Sequence, residues 1–161
     1  MNKLTRFLTA MLVATGLMAG SVTTVVADYG KQKVVYHINY DNPKKQAGAL
    51  RNIQNHINAV GAENLDLKVV LHGNGLALLL EPDALSRVPK FKNANATDDM
   101  TAKIAGLKDQ GVAFSVCNNT INGRKVNMDN DLYDVDKADI VPSGVAELAK
   151  LQAEGYTYIK P

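Results

Sequence analysis

The feature that most constrains this chain is an alternation, repeated from residue 33 onward, of short β-branched runs with segments of helical period. Val34-Val35-Tyr36-His37-Ile38 has strand composition. Asp41-Asn42-Pro43 then supplies a side-chain cap and a proline at the first helical position. Leu50, Ile53, Ile57 and Val60 follow on one helical face, and Gly61 ends the helix. Leu65–Leu71 is a second strand, a helix is expected over 98–110, and 112–117 is a third strand. Residues 140–142 form a short fourth strand, Ser143 caps a helix carrying Val145, Leu148 and Leu151, and 156–159 is a fifth strand. Strands separated by helices of ten or more residues require crossover connections, which run right-handed between parallel neighbours. The expected fold is therefore α/β: a three-layer sandwich around a mostly parallel five-stranded sheet.

Residues 1–27 fall outside that pattern. Lys3 and Arg6 precede an uncharged run from Phe7 to Val26, and Val25-Val26-Ala27 offers small residues before Asp28. This is the layout of a secretory signal peptide, which implies export to the periplasm. The alternative is a permanent anchor, but Ala, Gly, Ser and Thr dilute the run. Removing 27 of 161 residues leaves 134, enough for one domain spanning 28–161. Lys3 and Arg6 also account for the whole +2 net charge. A neutral remainder without a basic run gives no electrostatic basis for binding nucleic acid, and it contains no second membrane-length apolar stretch.

Ligands of parallel sheets bind beyond the carboxyl ends of the strands. There the chain offers Asn39-Tyr40-Asp41, His72-Gly73-Asn74-Gly75, Cys117-Asn118-Asn119 and Ser143-Gly144. Cys117 is the single cysteine, so no disulfide can form within the chain. A thiol at a strand end before a helix start meets backbone N–H groups that favour thiolate. The competing reading is a small apolar residue completing a core strand. His72, Asn74, Asn118 and Asn119 are candidate substrate-binding residues; the Asn118 and Asn119 amides would steady an anion, and His72 would tune the thiol or hold an anionic substrate. As alternatives, His72 satisfies a backbone carbonyl and the amides form turns and caps. His37 and His56 are assigned to packing or solvent.

The chain has no P-loop, nucleophile elbow or Cys-x-x-Cys, and Gly73-Asn74-Gly75 lacks the third glycine of a dinucleotide loop. Its histidines and cysteine show no zinc spacing, so neither metal nor cofactor is expected. Asp129, Asp131, Asp134, Asp136 and Asp139 are expected in a solvated loop. Residues 76–80 are continuously apolar and suit a strand, a helix, core or a subunit interface.

Two segments carry a resemblance. Gly111-Val112-Ala113-Phe114-Ser115-Val116-Cys117-Asn118-Asn119-Thr120 resembles the cysteine segment of the DsrE/DsrF-like family, and the ending from Val141-Pro142-Ser143-Gly144 to Tyr156-Thr157-Tyr158-Ile159-Lys160-Pro161 supports it. Asn55-His56-Ile57 and Val69-Val70-Leu71-His72-Gly73 are similar to an exported branch of that family. The resemblance implies a DsrEFH-type fold, a homo-oligomer (trimer or hexamer), and persulfide carriage on the matching cysteine, Cys117, in relay with a sulfur donor or acceptor protein. The other function class is a non-catalytic oligomeric module binding a small anion or metabolite. A third is structural assembly through residues 76–80.

Overall fold

The computed structural model describes residues 29–161 apart from Pro89. The proposed signal segment lies outside the described residues. Among them no helix is long and apolar enough to cross a membrane.

Five parallel strands form one sheet: β1 (Gln32–Ile38), β2 (Leu65–Leu71), β3 (Ala113–Cys117), β4 (Ile140–Val141) and β5 (Thr157–Ile159). Their spatial order is β4-β3-β2-β1-β5, so β2 is central, flanked by β3 and β1, and the chain returns to add β5 beside β1. The helices are α1 (Pro43–Val60), α2 (Asp98–Asp109), α3 (Asn118–Arg124), α4 (Met128–Asp131) and α5 (Gly144–Ala153). The start of α1 follows the sequence signals, with the Asn42 side chain accepting from the Lys45 N–H and proline in the first turn. Gly61, at φ 88°, terminates α1 in backbone that a side chain would strain.

Period two divides the strand side chains between the faces. Val34, Tyr36, Ile38, Leu67, Val69, Leu71, Phe114 and Val116 point to one face. There Leu50, Ile53 and Ile57 of α1, and Met100, Ile104 and Leu107 of α2, complete the main core. Residues 76–80 belong to this core: Gly73–Leu78 is a 3-10 turn and Leu76 to Leu80 are fully buried. That removes the reading of 76–80 as an assembly surface, since its side chains are already spent on the fold. The opposite face holds a small cluster of Val35, Val70, Leu148, Leu151 and Tyr156 beneath α5.

Gln46, 0% exposed, ties the strand-end loops together. Its amide donates to the carbonyls of Tyr40 (2.7 Å) and Gly75 (3.2 Å), and its side-chain oxygen accepts from Asn95 (2.7 Å). Gly75 cannot carry a side chain there, because a Cβ would sit 1.9 Å from the Ile38 carbonyl oxygen. The expectation of a solvated acidic loop fails at Asp131. It is buried, accepts from Arg87 Nε at 2.9 Å and from the Asn127 N–H at 2.8 Å. Arg87 lies 44 residues earlier in the chain.

Candidate active site at the carboxyl edge of the sheet

Cys117 ends β3 on the face that α5 covers, because Phe114 and Val116 take the alternate positions facing the main core. It is 5% exposed, yet its surroundings are polar. Burial alone raises the pKa of the thiol. The Gly144 N–H, the Thr120 hydroxyl and the N–H groups of Thr120 and Asn119 outweigh that, and the thiol is lowered below its ordinary value. These donors come from the first turns of α3 and α5, which meet at the sulfur. Gly144 permits the approach: a Cβ there would lie 2.9 Å from His72 Cβ and 3.2 Å from Cys117 Cβ. The Thr120 hydroxyl also accepts from the Gly73 N–H at 2.8 Å, joining the segments that follow β2 and β3.

His72 follows β2 directly, and continuing the β2–β3 register by one residue sets it abreast of Cys117. Its Nε2 lies 2.7 Å from Nε2 of His37, a distance at which one nitrogen carries the proton and the other accepts it. His37 Nδ1 is in turn hydrogen-bonded to the Tyr158 hydroxyl at 2.6 Å. Burial lowers the pKa of His37 to about 4, with further contributions from His72 and Lys160. Burial and then Lys160 also lower that of His72. Both rings are neutral at pH 7, and the pair holds one proton between its facing nitrogens.

The structure thus brings Cys117, His72 and Asn119 together, with Asn118 half-buried at the start of α3. Asn74 is different. Its side-chain oxygen accepts from Arg124 Nη2 at 2.5 Å, and Arg124 lies over the Phe91 ring, so that amide braces a loop. His37, assigned to packing or solvent, does pack: it is buried and stacked on His72, but its hydrogen bonds to His72 and Tyr158, like the role of Thr120, were not foreseen from the sequence. The parity of His37 with Val35 was a usable signal, since both must face the same side of β1. A surface cavity of about 420 Å³ lies elsewhere, between α1 and α2, lined by Ala47, Leu50, Gln54, Ala102 and Leu107. It is on the other side of the sheet from the thiol.

A comparison with curated proteins finds no significant match. Among solved structures, the chain is similar to MTH1491, a protein of unknown function from Methanobacterium thermoautotrophicum. The identity is 26% and the TM-score 0.63, covering 81% of this chain and 100% of that one. A family model matches residues 32–161, from the first residue of β1 through the last strand. With a parallel α/β sheet, a cysteine at the end of β3 and a match over nearly all the described residues, the chain belongs to the DsrE/DsrF-like family.

Proposed function

We propose that this protein handles sulfur, carrying a persulfide on Cys117 in a sulfur relay or in the oxidation of sulfur compounds. The observation that carries the proposal is the ring of N–H and O–H donors around Cys117. Thiolate is the nucleophile in sulfur exchange, and these donors stabilise it in a site that burial alone would keep protonated. The same donors suit a persulfide anion, whose charge resides on the outer sulfur. Family membership supports a role related to sulfur relay.

The leader-like first 27 residues support export to the periplasm. Val145 of α5, 64% exposed, and Tyr158, 39% exposed, support a homo-oligomer packed through the side covered by one helix. The competing reading, a non-catalytic module in which Cys117 only packs, predicts a thiol inert to sulfur donors. Intact mass after incubation with inorganic polysulfide decides between them. The wild type should gain about 32 Da as a persulfide adduct, and Cys117→Ser should gain nothing. Equal behaviour of the two proteins would overturn the proposal.

A further inference from the structure

We propose that the edge formed by Lys160, His37, His72 and Tyr158 selects a small anionic donor of sulfane sulfur, thiosulfate in its simplest form, for Cys117. This rests on the reading of Cys117 as the sulfur-accepting thiol.

Tyr36 pairs with Ile159, the last residue of β5, so Lys160 follows at the level of His37, where it also lines a surface pocket with Lys45 and Asn52 of α1; Tyr158 faces the same side of the sheet as His37, His72 and Cys117. None of these side chains is a carboxylate. Among the described residues, Lys160 is the one charged side chain whose field contributes to the shifts of His37 and His72, and no carboxylate contributes to theirs or to that of Cys117.

The hydrogen-bond chain adds a donor. When the Tyr158 hydroxyl donates to His37 Nδ1, His37 carries its proton on Nε2 and donates to His72 Nε2. Neutral His72 must then carry its own proton on Nδ1. That nitrogen has no hydrogen-bond partner among the described residues and is not shut away from solvent. In that tautomer the edge presents the His72 N–H on the strand next to Cys117 and the Lys160 side chain two strands further out, groups that attract a compact dianion towards the sulfur.

The reaction balances without a further oxidant or reductant. Cys117 thiolate attacks the outer sulfur of thiosulfate, the S–S bond of thiosulfate breaks, and its electron pair leaves with sulfite. The total charge is −3 on both sides, as one thiolate and thiosulfate become one persulfide anion and sulfite. The cationic edge attracts the donor and also stabilises the departing dianion.

The test separates charge selection from sulfur chemistry. Loading of Cys117 by thiosulfate is followed by intact mass and by released sulfite, and compared with loading by uncharged diallyl trisulfide. In parallel, Cys117 is alkylated with anionic iodoacetate and with neutral iodoacetamide. Lys160→Gln should slow thiosulfate loading and iodoacetate alkylation about three- to tenfold, with less effect at high salt, and leave both neutral reagents unchanged. Lys160→Glu should move the same ratios further. Equal effects on charged and neutral reagents, or none on either, would overturn charge selection while leaving persulfide carriage standing. Failure of every donor to load the wild type would instead overturn persulfide carriage, and the two alkylation rates would still report on charge selection.

Discussion

The two faces of the sheet do different work. On one, two long helices and the buried 76–80 segment seal an apolar layer whose strand side chains are Val, Leu, Ile, Phe and Tyr. On the other, one ten-residue helix covers a small cluster, and the same strands end in His37, His72 and Cys117. Hydrophobic burial concentrates where the fold must be held, and titratable groups collect where cover is partial. The thinner side can tolerate a thiol among hydrogen-bond donors because the thicker side supplies the stability.

That division can be broken at its strongest point first. Ile53→Ala, which empties a fully buried site on α1, should cost about 2–5 kcal/mol in denaturant unfolding. A loss under about 1 kcal/mol would mean that the thicker side does not dominate. Acid exposes the other side. The pKa of His37 falls to about 4 on folding, so between its ordinary value near 6.5 and that value the unfolded chain binds a proton that the folded chain refuses. Stability should decline as pH falls through this window and recover fully above it, with His72 acting in the same direction. Thermal unfolding of His37→Leu should show a flatter pH dependence than the wild type; an unchanged slope would remove the pair as its source. The smallest effect on folding is expected at Thr120→Val. Losing the hydroxyl next to the sulfur should raise the midpoint of the Cys117 alkylation-rate profile by up to about one pH unit. An unmoved midpoint would assign the anion to the backbone amides alone.

Much of this architecture was legible because local rules and tertiary packing agree. The cap and proline at Asn42-Pro43 and the helix-ending Gly61 set α1, and the period-two run of 65–71 set β2 with the same limits. Cys117 was legible for the same reason, standing at a clear strand end before polar residues. The apolar run 76–80 did not declare its state, since neither period fits a run that starts in the 3-10 turn Gly73–Leu78 and leaves it through an isolated bridge at Leu80. The partners were less accessible still. Placing His37 against His72 requires knowing that β1 and β2 are neighbours and in what register. Joining Tyr158 to them requires the return of β5 across 121 residues of sequence. Asp131 looked like one of several loop acids until Arg87 was brought to it. Composition reveals the chemistry a residue can do, whereas strand order decides which residues do it together.

All five strands run the same way, so the segments that follow them leave from one rim, while the opposite rim only receives chain. An engineer could graft the first residues of those outgoing segments from a relative of the same topology while keeping 76–80 and the rest of the aliphatic layer in place. Reagent preference would then change while melting behaviour stayed close to that of the parent.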